Sequence, residues 1–260
     1  MASDHLKRSL ESKVVLMYHD VINDTCLKTG FNTKGADYYK VSFNQFESQL
    51  NTIIRYVTEN SISLDEIIFT FDDGGISAYE IVAPALEKRG LIGHFFIVSE
   101  MIGAPGFMAT EQIKDLIARG HVIGSHSATH PPRFDALPHE DRLREWQMSL
   151  DQLQTISLHK VTEISIPNGC FVKDDVNFLK DLGITAIYSS TYGESYLDKG
   201  ISIYGRFAVT SKTSSDDIFR FLTCKSYRKC YIWKNRSLSL LKRILGNNYL
   251  TIKKLIRNYI

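Results

Sequence analysis

Two aspartates stand side by side at Asp72 and Asp73, after the apolar run Ile67-Ile68-Phe69-Thr70-Phe71 and before Gly74-Gly75. Two histidines four apart, His126 and His130 in "HSATH", follow the run Val122-Ile123-Gly124-Ser125. One carboxylate and two imidazoles make a donor set for a divalent metal that leaves positions open for water and substrate. The remaining acid is free to accept a proton, because neighbours on an extended strand point to opposite sides. The plain alternatives are an acidic turn that ends a strand and a chance pair of surface histidines. Against them stand the apolar lead-in and the glycine pair. A carboxylate buried without a partner is costly, and a metal ion offsets that cost.

Such groups need elements that hold them at one place. Short apolar runs predict strands at Val14–Tyr18, Ile67–Phe71, His94–Ile97, Val122–Ser125, Ile164–Ile166 and Ala186–Ser189. Helical patterns fall between them: Phe43–Tyr56 capped by Ser42, Ile76–Arg89 with a kink or restart at Pro84, Thr110–Arg119 with Thr110 as cap, His139–Ile156, and Asp174–Leu182. Strand, helix, strand with short loops means a parallel sheet or barrel, whose active site lies at the carboxyl ends of the strands. Both motifs fall there, with Asn168 and Gly169 after the fifth strand as a third cluster. The 260 residues, 43% of them hydrophobic, suffice for one domain.

A net charge of +2 gives no general pull toward nucleic acid, and no nucleic-acid partner is expected. The charge is unevenly spread, however. After Asp217 the chain has eleven Lys and Arg and no Asp or Glu, interleaved with Leu and Ile at roughly helical spacing. That pattern suits a helix lying on an anionic membrane, or a terminal helix packed on the domain with a solvated basic face. Cys26, Cys170, Cys224 and Cys230 match neither a zinc pattern nor a disulfide scaffold, so free thiols in a reducing compartment are expected. The N-terminus is charged up to Lys13 and then only briefly apolar, which does not read as a secretion signal. The expected location is the cytoplasm, peripheral to the inner membrane.

"TFDDG" at Thr70–Gly74 and "HSATH" at His126–His130, in that order, resemble the first two motifs of the polysaccharide deacetylases, carbohydrate esterase family four. The resemblance covers roughly Val14 to Arg220. It implies a distorted (β/α)7 TIM-like barrel, with residues 1–13 as a tail, 14–220 as the catalytic domain and 221–260 as a basic amphipathic extension. It further implies Asp72 as general base and Asp73, His126 and His130 as ligands of a divalent metal, most often zinc. The implied reaction is hydrolysis of the N-acetyl group of an amino sugar, releasing acetate.

Two family features depart from the pattern. The third motif, Arg-x-Pro-Tyr-Gly, is replaced by Ser165-Ile166-Pro167-Asn168-Gly169, which keeps a turn able to line the pocket but lacks the arginine that holds the base. Arg206, in "IYGRFAV", is the candidate replacement, against a surface arginine as the ordinary reading. The usual acid histidine near the C-terminus is also absent, since no histidine follows His159. "VLMYHDV" at Val15–Val21 resembles a permuted exopolysaccharide deacetylase subgroup whose acid histidine comes from the first strand. His19 is thus the expected general acid, with Tyr18 beside the sugar. His94, within an apolar strand, reads as core, and Trp146 as a packing residue.

The expected activity is metal-dependent N-deacetylation in O-antigen or exopolysaccharide biosynthesis, on a polysaccharide or a lipid- or nucleotide-linked precursor. Hydrolysis of another non-peptide C–N bond, or a noncatalytic polysaccharide-binding barrel, is the alternative.

Overall fold

The computed structural model describes residue 10 and residues 13–190, 193 and 195–245, without the side chains of residues 235, 236 and 238–245. Eleven strands are found among them: β1 Val14–Tyr18, β2 Val21–Ile22, β3 Val41–Ser42, β4 Ile67–Phe71, β5 Gly93–Ile97, β6 Val122–Ser125, β7 Glu163–Ser165, β8 Ala186–Ser189, β9 Tyr196–Asp198, β10 Ile201–Gly205 and β11 Phe207–Ala208. Nine form one curled sheet in the order β11-β1-β4-β5-β6-β7-β8-β10-β9. All its pairings are parallel except β10 with β9. This is a mixed α/β half-barrel, in keeping with the distorted (β/α)7 barrel expected from the sequence, with β1, β4 to β8 and β10 as its seven principal parallel strands.

The strands form where both faces can be covered, which is why they read as unbroken apolar runs. In Ile67-Ile68-Phe69-Thr70-Phe71 all but Ile68 are buried. The outer face carries the main core. The helix Phe43–Glu59 buries Phe46, Leu50, Ile53 and Val57 on one stripe, and Ser42 caps it by accepting from the Gln45 N–H at 3.3 Å. Each such side chain contributes about 1.5–3 kcal/mol on burial. The inner face holds a second, smaller cluster of Val15, Phe96, Ala186 and Tyr188.

Several local expectations change. Residues 78–82 wind as a π-helix, followed by a short α-helix at Ala83–Glu87 with Pro84 in its first turn, so of the expected kink or restart at Pro84 it is the restart that is seen. Thr110 begins its helix rather than capping it. Ala109 is the N-cap, and the Gln112 side chain accepts from its N–H at 2.8 Å. β9 to β11 were not read from the sequence, being short and mixed in character. His94 is not a core residue; it is half-buried on β5, with Nδ1 2.7 Å from Glu163.

Trp146, only 1% exposed, packs on Phe134 at 4.9 Å between ring centroids. Trp146→Ala is expected to destabilise the protein by about 3–5 kcal/mol, measured by denaturant unfolding, through the cavity it leaves.

The helix Lys225–Leu245 docks on the domain through its first turns. Tyr231 Oη accepts from the Ala208 N–H at 3.1 Å and its ring packs on Phe207, while the Arg228 guanidinium donates to the carbonyls of Phe221 and Leu222. Residues 246–260 of the expected basic helix, and most of the tail 1–13, lie outside the described residues. No helix among the described residues is long and apolar enough to cross a membrane. All four cysteines are free thiols.

Candidate active site

β4 delivers Asp72 to the carboxyl edge of the sheet, where its N–H continues the ladder by donating to the Tyr18 carbonyl at 3.0 Å. The chain then turns sharply: Asp73 has φ 76° and Gly74 φ 82°. Asp73 is a non-glycine residue in the left-handed region, the kind of local strain that clusters at functional sites. Gly75 is needed for another reason, since a Cβ there would run into the Asp20 carboxylate. The two carboxylates are thus parted by this turn, not by strand alternation as the sequence suggested.

β6 delivers the histidines. The His126 N–H donates to the Ile97 carbonyl at 2.8 Å, and the segment that follows is a loop, with Ser127 at φ 65° and His130 at φ 55°. Side chains fix this loop. The Ser127 N–H donates to Ser125 Oγ, the His130 N–H donates to Ser127 Oγ, and Glu145 accepts from the N–H groups of Ala128 and Thr129.

Asp73 Oδ1 lies 3.5 Å from His126 Nε2 and 3.7 Å from His130 Nε2. It is buried and has no hydrogen-bond partner. Burial, reinforced by the charges of Asp72 and Asp20, pushes its carboxyl well above the usual carboxylate range. Burial holds His126 down to about 3 and lowers His130 as well, so both imidazoles are neutral, the form that ligates a metal. His126 Nδ1 sits 2.9 Å from the Ser165 carbonyl, where an N–H donates and leaves Nε2 with its lone pair facing Asp73. Together Asp73, His126 and His130 bring one ligand atom each within 4.8 Å of one another. An orphaned carboxylate oxygen facing two neutral imidazoles fits a divalent cation of the kind that accepts mixed nitrogen and oxygen donors.

Asp72 is held by Arg206, which is wholly buried. Nη1 donates to Oδ1 at 2.8 Å and Nη2 to Oδ2 at 2.7 Å, a two-pronged pair. The guanidinium also donates to Thr70 Oγ1, Ser165 Oγ and the Ser189 carbonyl. Burial alone would raise the Asp72 carboxyl, but the Arg206 charge overrides it and keeps the group ionised, well below its ordinary value. Ser165, at the position where the resembled motif has arginine, accepts a hydrogen bond at 2.9 Å from an arginine that lies between β10 and β11.

His19 follows β1. Burial lowers its imidazole to about 4, opposed by the Asp72 charge and assisted by those of Arg206 and His130. Its Nδ1 has no hydrogen-bond partner, and Tyr39 lies over the ring at 4.4 Å between centroids. Pro167, Asn168 and Gly169 form a turn after β7 at the same edge, with Asn168 at φ 53° and exposed.

Tyr18 is a correction. Its side chain is fully buried on the outer face between Phe46 and Phe71, and its hydroxyl donates to Gln49 Oε1 at 3.0 Å, so it cannot reach a sugar. Glu145 and Asp20 support the site but were missed, because a lone acid carries no spacing signal. Thr70 and Ser165 were met only as members of their motifs, and their hydrogen bonds to Arg206 gave no sign in the sequence.

Residues 61–187, which include both aspartates and both histidines, match the family model described as polysaccharide deacetylase. His19 and Arg206 lie outside the matched segment. Over 198 residues, 75% of this chain and 71% of the relative, the sequence is 22% identical to YxkH of Bacillus subtilis, which carries a polysaccharide deacetylase name. Among solved structures, the Streptococcus pyogenes deacetylase PplD in complex with acetate shares the fold at a TM-score of 0.65 with 17% identity, over 81% of this chain and 97% of that one. A de-N-acetylase from Aggregatibacter actinomycetemcomitans gives 0.64 with 21% identity, over 83% and 99%.

Proposed function

We propose that the protein is a metal-dependent N-deacetylase that hydrolyses the acetamide of an N-acetylated amino sugar to acetate and a free amine. The observation that carries this is the pairing of an unpartnered Asp73 oxygen facing two neutral histidines with a neighbouring Asp72 kept ionised by Arg206.

Asp73, His126 and His130 would hold the cation, zinc by the nature of its donors, which when bound supplies a Lewis acid for the acyl carbonyl and acidifies a water. Asp72 acts beside it as the proton acceptor, and Arg206 fixes both the orientation and the charge of that carboxylate. His19 is the proton donor to the departing amine. The role requires a charged imidazole, and Asp72 is the group that favours one. The turn Pro167–Gly169 lines the substrate approach.

His19→Gln is expected to lower kcat by about 10²- to 10⁴-fold, the range for loss of a general acid, while metal content stays at the wild-type level. Metal analysis run beside acetate release checks both, and unchanged kcat would remove His19 from the mechanism.

The substrate class is a surface glycan of O-antigen or exopolysaccharide type, or its lipid- or nucleotide-linked precursor, met on the cytoplasmic side of the inner membrane. Charge distribution supports the membrane setting. The eleven Lys and Arg after Asp217 leave twenty against 29 Asp and Glu in the rest of the chain, so the body is acidic and the extension basic. On the described part of that extension Lys229, Trp233 and Lys234 are exposed, Trp233 at 72%. A basic helix with an exposed tryptophan suits an anionic bilayer surface.

Incubation with a panel of N-acyl amino-sugar oligomers tests the activity. Acetate and free amine should appear in equal amounts. Release of a different acid, with acetyl sugars untouched, would favour hydrolysis of another C–N bond.

A further inference from the structure

Phe31 and Tyr39 are aromatic rings held outside the apolar core. Neither belongs to its two clusters or packs against them, yet each lies on a histidine of the site. Phe31 sits on His130 at 5.3 Å between centroids and 37° between planes, and Tyr39 on His19 at 4.4 Å and 31°. Both are half-buried, and both come from the one segment that joins β2 to β3.

That segment is pinned beside each ring. Ahead of Phe31, the Thr29 hydroxyl donates to Asp20 Oδ1 at 2.6 Å and accepts from the Ser77 N–H at 3.0 Å. The Gly30 N–H donates to the Gly106 carbonyl at 2.8 Å. Gly30 has φ 58°, and a Cβ there would strike the Asp20 carboxylate. Phe31 itself stands edge-on to Phe107 at 5.1 Å. Around Tyr39, the Tyr38 carbonyl accepts from the Ser211 N–H at 2.9 Å, Lys40 Nζ donates to Asn32 Oδ1 at 3.1 Å, and the Val41 N–H donates to the Asp20 carbonyl at 2.9 Å. Asp20, 3% exposed, therefore anchors the segment near both rings and ties it to Ser77, just past the acid turn.

We propose that Phe31 and Tyr39 form a preorganised aromatic platform that receives the pyranose ring bearing the scissile acyl group, and so set the enzyme's preference for a sugar. This rests on the deacetylase reading above. A pyranose offers an apolar C–H face that buries against an aromatic ring, and a tyrosine adds a hydroxyl that can pair with sugar hydroxyls. Fixing the rings in advance removes the ordering cost on binding. Their places on His130 and His19 put the sugar's apolar face next to the groups that act on its acetamide.

The test compares two acetyl substrates, one with a pyranose and one without: N-acetylglucosamine oligomers and 4-nitrophenyl acetate. For Tyr39→Leu and Phe31→Leu, with folding checked by circular dichroism, the ratio of sugar to ester kcat/KM is expected to fall about 10-fold or more, chiefly through KM. Tyr39→Phe keeps the ring and should keep the ratio within about threefold. Equal losses on both substrates, leaving the ratio unchanged in both leucine variants, would overturn the platform while leaving the deacetylase reading intact. Wild-type protein that hydrolyses the ester but no N-acetylated sugar would overturn the reading and the platform with it.

Discussion

Arg206→Met is expected to abolish most acetate release and to destabilise the fold by about 3–5 kcal/mol, the usual cost of stranding one partner of a buried ion pair. The Asp72 carboxylate is 3% exposed and receives both prongs of the guanidinium, so removing Arg206 leaves a buried charge with nothing to hold it. The carboxyl would then follow the burial that now opposes ionisation, rise, and lose its capacity to take a proton at neutral pH. Arg206→Lys separates charge from geometry: the ammonium keeps the charge but cannot reproduce the fork to Asp72 together with the bonds to Thr70 and Ser165. Activity between that of wild type and Arg206→Met is expected, with most of the stability retained. Denaturant unfolding and acetate release, measured on both variants, check the pair. Full activity in Arg206→Met would mean that Asp72 does not depend on this arginine.

Asp73→Asn has the second large effect, and it reverses sign with metal. In metal-free protein Asp73 is a buried acid with an orphaned oxygen, and its folded carboxyl is raised above the unfolded value. Such a group destabilises once the pH exceeds its unfolded value near 3.9, the penalty growing until the pH passes the raised folded value. Without metal at neutral pH, the amide variant should therefore be at least as stable as wild type. With zinc at about a thousandfold over its dissociation constant, wild type should gain about 4 kcal/mol and the variant almost none, having lost a ligand. Thermal unfolding with chelator and with zinc reads this directly, and an equal gain in both proteins would remove Asp73 from the ligand set.

How much of this was legible in the sequence follows from how local each signal is. Asp72, Asp73, His126 and His130 could be found because each pair is contiguous or nearly so and follows an apolar run that can only be a strand. Six principal strands were readable for the same reason, whereas β10 was not: Ile201-Ser202-Ile203-Tyr204-Gly205 is short and half-polar. Arg206 was reachable only by noticing an absence, since its partners Asp72, Ser165 and Thr70 lie 134, 41 and 136 residues away in the chain. Tyr18 misled because a residue adjoining a site histidine on a strand points to the opposite face, here into the core beside Gln49. Asp20 and the platform rings gave no pattern at all, because their roles depend on contacts among a long loop, the acid turn and Gly106.

The division of labour between the two adjacent aspartates is tested most directly by Asp72→Asn, assayed for bound metal and for acetate release on the same sample. One divalent ion per chain with acetate release lowered at least about 10²-fold is expected, because Asp72 takes the proton and Asp73 holds the ligand position. A variant that loses its metal, or that keeps wild-type acetate release, would contradict the assignment.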